Sequence, residues 1–315
     1  MAIDSPITID KQIVEMKKYV TFRKKVKIKR LLEYAGYFRV SRYGKYLLSL
    51  SSIIKSKPSQ EMLFQVYDFD TKLRLLLFKY CKKAEIQFKS NLSNSISLKT
   101  SNPVFYLDSS VYTPSKSESD KTKRKNNKYK FPIFFADLTQ KEEELRKNTL
   151  KYPSLKEYRS GGLRTSLKIP CWAAFSYFDF GTIVIMYSYL SGDLRKEVLR
   201  YGYSKKNYDK STTKEVDTWL DAIRNLRNIC AHHNKVIDTT SSVVLFSNSD
   251  TICTGLNNTD LFSRLYALKK ILPANDSLCL MKELDKLIAT SKFDVIRFGV
   301  LPNNWKTLYM SIKEL

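Results

Sequence analysis

The feature that most constrains this chain is a long amphipathic segment at residues 67–92, YDFDTKLRLLLFKYCKKAEIQFKSNL. Its apolar residues recur at the spacing of one helix face, so a helix here would carry a single continuous apolar stripe. Such a stripe has to be buried against other helices, and we expect it to belong to the core. Asp68 or Asp70 is placed to cap the start of this helix. The residues of the stripe are Leu73, Leu76, Leu77, Tyr80, Cys81, Ala84 and Phe88.

The rest of the sequence also favours an all-α fold. The chain has 9 Gly and 9 Pro among 315 residues, too few for the many turns of a β-rich fold. Its 43% hydrophobic content indicates a packed core rather than disorder. We expect a first helix capped by Thr8 or Asp10, and further helices near residues 24–34, 40–54 and 138–150.

Three other segments complete the predicted organisation. Residues 171–192 are strongly apolar and are interpreted as buried helical segments, whereas residues 241–247, SSVVLFS, favour a short strand or an extended loop. Residues 113–130, TPSKSESDKTKRKNNKYK, are polar and cation-rich, which predicts a long loop. We therefore divide the chain into an N-terminal basic helical region at residues 1–60 and a helical domain at residues 61–315 that carries this insertion.

The charge of the chain points to a polyanionic partner. There are 55 Lys and Arg against 31 Asp and Glu, a net charge of +24. A surplus of this size is typical of proteins that bind nucleic acid or an anionic membrane surface. Two clusters are candidate RNA contacts, although each is also compatible with a solvated face or a solubilising insertion. The first holds Lys24, Lys25, Lys27, Lys29 and Arg30, and the second holds Lys123, Arg124 and Lys125.

Several classes of protein and site are disfavoured. The five cysteines are odd in number and include no CxxC pair, which favours reduced thiols in a cytoplasmic protein. The first residues lack the apolar stretch of a signal peptide, and the longest apolar run, at residues 182–190, is too short to span a bilayer. No GxxxxGK[ST], GxGxxG or GxSxG motif is present. We expect no membrane association, no cofactor and no metal.

Both histidines of the chain lie in one dipeptide, within RNLRNICAHHNK at residues 224–235. Residues 213–235 are predicted to form one helix, and successive residues advance by about 100° around its axis. The apolar side collects Trp219, Ala222, Ile223, Leu226, Ile229, Cys230 and His233. The polar side collects Asp221, Arg224, Asn225, Asn228, His232 and Lys235, with Arg227 on the flank between the two. This assignment predicts a structural role for His233 and an exposed position for His232.

The polar face has the residue types that metal-independent RNA cleavage requires. In that reaction the 2′-hydroxyl of the RNA attacks the adjacent phosphate. An imidazole such as that of His232 transfers protons near neutral pH, and a guanidinium such as that of Arg227 matches phosphate oxygens. Asn228 can orient either group, and Arg224 and Lys235 are expected to contact RNA. An ordinary amphipathic helix with a polar outer face explains the same pattern. A zinc site is disfavoured because Cys230 and His232 lie on opposite faces.

Several blocks of this sequence resemble a known family. The string Arg227-Asn228-x-x-x-His232 is similar to the R-x(4–6)-H motif of HEPN ribonucleases, and RNLRNICAHHNKV resembles the form found in abortive-infection (Abi) proteins of the AbiD/AbiF type. The likeness extends in the right order over PITIDKQIVEMKKYV, LLEYAGYFRVSRYGKYLLS, the "FD-x-x-LR … E" pattern of the long amphipathic segment, IPCWAAFSYFDFGTIVIMY and LPNNWKTL.

The resemblance implies a HEPN-type helical bundle that cleaves RNA and stops phage growth in bacteria. It implies that Arg227, Asn228 and His232 are the catalytic residues. Two HEPN motifs normally face each other to form one site, so it also implies a homodimer. Some members are encoded beside a structured noncoding RNA, which would suit a strongly basic chain.

Two other functions remain open at the level of sequence. The first is the RNA-binding protein of a ribonucleoprotein that has no cleavage activity of its own. The second is the helical partner of a nucleotidyltransferase in a toxin–antitoxin pair. RNA cleavage in the presence of a metal chelator separates the nuclease from both.

Overall fold

Helices make up the regular structure of this chain. The computed structural model describes residues 6–114, 121–158, 168–203 and 208–315. Within those ranges there is no β-strand, only two isolated bridges, Thr21 with Ser59 and Tyr112 with Leu190. None of the helices found there is both long and apolar enough to cross a membrane. The predicted all-α fold class is confirmed.

The α-helices are numbered in chain order. They are α1 Ile9–Met16, α2 Lys25–Ala35, α3 Tyr37–Ser49, α4 Ser51–Ile54, α5 Gln60–Thr100, α6 Lys121–Lys147, α7 Cys171–Ala174, α8 Phe180–Tyr189, α9 Gly192–Gly202, α10 Lys210–Ala231, α11 Leu261–Ile271, α12 Ala274–Ala289 and α13 Trp305–Ser311. Short 3-10 turns lie at Phe105–Leu107, Ser109–Val111, Pro153–Tyr158 and Thr251–Cys253.

The long helix α5 is the axis around which the others pack. It contacts α3, α7, α8, α9, α10, α11 and α12. The predicted apolar stripe is buried, with Leu76 only partly covered. The predicted start was wrong: the hydroxyl of Ser59 caps the helix by accepting from the Met62 amide at 3.3 Å. Asp70 therefore lies inside the helix, where it is fully buried.

The N-terminal helices follow the predicted pattern with one break. Thr8 caps α1 through the Lys11 amide, as expected. Gly36 adopts a φ of +80°, which ends α2 and sets the direction of α3. The helix expected at residues 40–54 is divided at Leu50 into α3 and α4. The proposed domain boundary between residues 60 and 61 falls in the first turn of α5 and stays a prediction.

The polar insertion is shorter than the sequence indicated. A loop was predicted for residues 113–130, but residues 121–130 form the start of α6, and the helix expected at residues 138–150 is the end of the same element. Lysine and arginine are good helix formers, so a cation-rich composition does not by itself exclude a helix. Aromatic contacts of Phe131 with Tyr112 and of Phe134 with Tyr189 hold α6 against the core. Residues 115–120 and the side chains of Lys123 and Arg124 lie outside the described residues.

Buried apolar side chains form one cluster that extends from Ile13 to Leu315. The apolar segment after residue 170 contributes α7 and α8 to it, as predicted. Residues 241–247 form an extended loop rather than a strand, and the indole of Trp219 donates to the Leu245 carbonyl at 2.7 Å. This loop is bonded to the middle of α10, the helix that leads to both histidines.

Candidate active site

The histidine-bearing helix α10 is anchored along its apolar side. Asp209 caps its start by accepting from the Thr212 amide at 2.7 Å. Trp219, Ile223 and Leu226 are fully buried, and the helix lies against α5 and α11. This packing was predicted from the apolar face, and it holds the opposite face toward solvent.

The C-terminal end of α10 differs from the prediction. The helix stops at Ala231, and His232 is its C-cap. The His233 amide donates to the Cys230 carbonyl at 3.1 Å, and the Asn234 amide donates to the Ile229 carbonyl at 2.9 Å. His233 has a φ of +54°, so these bonds form a Schellman ending in which histidine occupies the left-handed position that glycine usually takes.

Helical periodicity therefore fails for the last residues of the motif. His233 was predicted to lie on the apolar face, but it is exposed, as is His232. Lys235 was predicted to lie on the polar face, but its side chain is buried. Its ammonium pairs with Asp238 at 2.8 Å and lies over the Tyr46 ring, 4.9 Å from the centroid. The ammonium of Lys235 thus already contacts Asp238 and the Tyr46 ring. Its expected role in RNA binding stays a prediction.

Three motif residues share one cleft of about 320 Å³ between α10, α6 and the start of α8. Arg224, Arg227 and Asn228 line it from α10. The other walls are formed by Phe134, Asp137, Lys141, Asp179, Phe180, Gly181, Thr182 and Ile185. His232 is outside this described lining, but its amide donates to the Asn228 carbonyl at 3.0 Å, so it lies one turn beyond the cleft.

The floor of the cleft is a short polar network. The ammonium of Lys141 bonds to Asp137 at 2.7 Å and to the Thr182 hydroxyl at 2.9 Å, and it lies 3.5 Å from Asp179. Burial raises the pKa of Asp179, but hydrogen bonds from Thr182 and the nearby Lys141 outweigh this and leave that pKa lowered. A Cβ at Gly181 would lie 2.9 Å from the Asp179 carboxylate, so a larger residue here would require that carboxylate to shift.

Arg227 lies beside a buried carboxylate that was not singled out from the sequence. Its Nε lies 3.6 Å from Oε2 of Glu85 on α5, and its Nη1 donates to the Asn228 side chain at 3.2 Å. Glu85 is 3% exposed and also pairs with Lys89 at 2.8 Å and Lys82 at 3.0 Å. Burial raises the pKa of Glu85, yet the bonds from Lys89 and Lys82 lower it overall. Glu85 is the glutamate of the "FD-x-x-LR … E" pattern, and that pattern was the only feature of the sequence that pointed to it.

A second buried carboxylate fixes the segment after the motif. Asp70 accepts from the backbone amides of Val236 at 3.0 Å and Ile237 at 2.9 Å. It also accepts from the Tyr43 hydroxyl and from Arg74, each at 2.5 Å. The aspartate and arginine of the "FD-x-x-LR" pattern thus tie α5 to α3 and to the chain beyond both histidines.

The remaining predicted RNA contacts are distributed over the surface. Arg224 pairs with Asp221, which in turn accepts from the Ser242 hydroxyl at 2.6 Å. Lys125 is exposed on α6. The basic cluster of Lys24, Lys25, Lys27, Lys29 and Arg30 is exposed at the start of α2, and its side chains make no ion pair with another described residue.

The model of a family described as Abi-like protein matches residues 30–238. The match takes in α5, the cleft, both histidines and the segment held by Asp70. The chain belongs to the Abi-like protein family. The Abi-like region ends at Asp238, the partner of Lys235, so it includes the whole Schellman ending and leaves α11–α13 outside. No curated protein and no solved structure matches the chain.

In the described residues there is no group of three His, Cys, Asp or Glu side chains able to hold a metal ion.

Proposed function

We propose that this Abi-like protein is a metal-independent RNA endonuclease of the HEPN type, related to the AbiD/AbiF proteins and acting in abortive infection. One observation carries the proposal: two exposed imidazoles end a helix whose preceding turns place Arg224, Arg227 and Asn228 in one cleft. The buried Glu85 forms a long ion pair with Arg227, with 3.6 Å between Oε2 and Nε. Family membership supports the link to abortive infection.

The chemistry is transesterification. The 2′-oxygen of the RNA forms a bond to phosphorus while the bond from phosphorus to the 5′-oxygen breaks. One proton leaves the 2′-hydroxyl and one reaches the 5′-oxygen, giving a 2′,3′-cyclic phosphate and a 5′-hydroxyl. His232 carries a proton in this step, Arg227 stabilises the charge on the phosphoryl oxygens, and Asn228 orients the pair.

A homodimer is part of this proposal. Two proton transfers occur in the reaction, and a base that accepts a proton cannot at the same moment be the acid that donates the other. His232 and His233 are adjacent on one chain, and in the dimer we propose a second motif from a partner chain faces them and supplies the second imidazole. Mixing His232→Ala protomers with Arg227→Ala protomers tests the arrangement. If the two chains share a site, the cleavage rate of the mixture will differ from the sum of the rates of the two variants measured separately.

The decisive test is RNA cleavage in EDTA. His232→Ala is expected to slow cleavage by about 10²- to 10⁴-fold, and Arg227→Ala by about 10²- to 10³-fold, with unfolding curves like that of the parent. The control is Lys306→Ala, which removes an exposed cation paired with Asp285.

The R-x(4–6)-H spacing also admits His233. Loss of cleavage with His233→Ala but not with His232→Ala would therefore assign the proton transfer to the His233 imidazole. Full cleavage activity in both the His232→Ala and the His233→Ala variant would show that the histidine motif is not the catalytic site.

A ribonucleoprotein without cleavage is the second candidate. The observation in its favour is the exposed cluster at the start of α2, whose cations have no acidic partner among the residues described. A structured noncoding RNA would be its partner. A protein that purifies with RNA, seen as a high absorbance ratio at 260 to 280 nm, but leaves all RNA intact in EDTA would favour this function.

A further inference from the structure

A second depression lies on the other side of the histidine pair. It has a volume of about 560 Å³ and is formed by the junction of α2 with α3, the middle of α5 and the end of α10. Its walls include Tyr34, Arg39, Tyr67, Leu75, Phe78 and His233. We call it the tyrosine groove. It shares no lining residue with the cleft that contains Arg227.

The tyrosine groove exposes apolar surface that a folded chain normally covers. Tyr34 is 86% exposed and Leu75 is 66% exposed. Tyr67 and Phe78 are half-buried behind them. Flat aromatic rings grouped around an open groove are the surface on which nucleobases stack, since each base has a π-face.

The charge of the tyrosine groove suits an anion. Arg39 makes no ion pair with any residue that the structure describes. Arg74 is already committed to Asp70 and to the Thr71 hydroxyl at 2.8 Å. None of the lining residues that the structure describes is Asp or Glu. One free guanidinium beside aromatic rings fits a ligand that has both a flat base and a phosphate.

His233 links the groove to the proposed chemistry. Its backbone has a φ of +54° as part of the Schellman ending that closes α10. The imidazole of His233 borders the groove, and the next residue toward the helix is His232.

We propose that the tyrosine groove binds an unpaired nucleotide of RNA that flanks the phosphate to be cleaved. The base stacks on Tyr34 and its aromatic neighbours, and Arg39 contacts the phosphate. This inference rests on the proposed function in taking RNA as the ligand, and it names single-stranded RNA as the substrate class. The homodimer proposed above pairs the histidine motifs, whereas a second copy seated in the tyrosine groove itself would have to supply a carboxylate to Arg39, because none of the described lining residues is acidic.

The test uses the full chain and a short single-stranded RNA that carries 2-aminopurine and 2′-O-methyl groups throughout. Methylation blocks cleavage, so binding is measured whether or not the protein is a nuclease. Stacking quenches 2-aminopurine fluorescence. Tyr34→Ala should lose most of the quenching and weaken binding about tenfold, while Tyr34→Phe should keep both. Arg39→Ala should weaken binding, but the 2-aminopurine should still be quenched once enough protein is added to saturate the RNA.

Tyr201→Ala is the matched control, since Tyr201 is 49% exposed on α9 and lies outside the groove. Quenching by the parent protein that is lost in Tyr34→Ala and kept in Tyr201→Ala supports the groove even if no RNA is ever cleaved. Unchanged quenching in Tyr34→Ala overturns it, whatever the cleavage assay shows. If Tyr34→Ala instead converts a dimer to a monomer in sedimentation while leaving quenching unchanged, the occupant is a second copy and the proposal is wrong.

Discussion

His233 occupies a backbone conformation that favours glycine, and this predicts the effect of replacing it. His233→Gly should raise the free energy of unfolding by about 1 kcal/mol because it removes the left-handed penalty from an exposed residue. His233→Ala keeps the penalty and should stay within about 0.5 kcal/mol of the parent. Urea unfolding of the three proteins measures both values. A less stable His233→Gly would mean that the imidazole makes contacts that offset the strain.

The contribution of Glu85 to the free energy of unfolding should depend on pH. Its pKa in the folded chain is lowered from the ordinary 4.5, so the ionised carboxylate stabilises the fold above that pH and the contribution disappears as pH falls through the lowered value. Glu85→Gln should cost about 1–3 kcal/mol at pH 7, and the cost should shrink below about pH 4. Unfolding in urea at pH 7, 5, 4 and 3 gives the comparison.

The exposed Glu144, paired with Lys151, is the control for Glu85. Glu144→Gln should change the free energy of unfolding by less than about 0.5 kcal/mol at every pH. A cost for Glu85→Gln that grows as the pH falls would contradict the sign. Such a result would mean that Glu85 is held in the protonated form.

At the scale of elements, Asp70 is the junction of three segments. It joins α5 to α3 through Tyr43 and to the chain beyond α10 through two backbone amides. Asp70→Ala should lower the free energy of unfolding by about 3–5 kcal/mol, because Arg74 is left as a buried charge without its partner. The amides of Val236 and Ile237 should also exchange with solvent faster, and hydrogen exchange can measure this directly.

Asp68 supplies the control for that experiment. It lies two residues earlier on α5, is exposed and pairs with Lys72 at 2.7 Å. Asp68→Ala should change the free energy of unfolding by less than about 1 kcal/mol. Equal effects of the two substitutions would show that the buried network contributes no more than a surface ion pair.

Elements with a long repeating pattern were predictable from the sequence, whereas helix ends that depend on a single residue were not. The stripe of α5 and the apolar face of α10 were predicted because many apolar positions repeat the same period. The end of α10 was missed because no glycine marks the left-handed turn at His233. The start of α5 was missed because aspartate suits both a cap and a buried pair, and only the tertiary structure decides between them.

At the scale of the whole molecule, the fold class was predictable and the assembly of the site was not. Scarce glycine and proline and a strong helical period indicated an all-α chain. The contact of Asp70 with Ile237 joins residues 167 positions apart, and periodicity contains no information about such pairs. The family-like blocks marked both ends of this contact, the "FD-x-x-LR" pattern and the histidine motif, without indicating that they touch.

The net charge of +24 leads to a prediction about RNA affinity. Lysines that bind phosphate release counterions, so affinity for single-stranded RNA falls with salt at a slope of about 0.7 per contact. Reversing Lys24, Lys25, Lys27 and Lys29 to glutamate should weaken binding and reduce the slope of log affinity against log salt by up to about 3. These lysines are exposed and have no acidic partner in the described part of the chain.

The control for this cluster reverses four exposed lysines that already have acidic partners: Lys18 with Glu15, Lys72 with Asp68, Lys147 with Glu143 and Lys306 with Asp285. Both variants carry the same net charge, so a general loss of attraction would lower affinity equally in the two. A specific contact surface would lower the affinity and the salt slope more in the cluster variant. Binding of an uncleavable single-stranded RNA at several salt concentrations measures both. Equal slopes in the two variants would show that the start of α2 is a solvated face and that phosphate contacts lie elsewhere on the molecule.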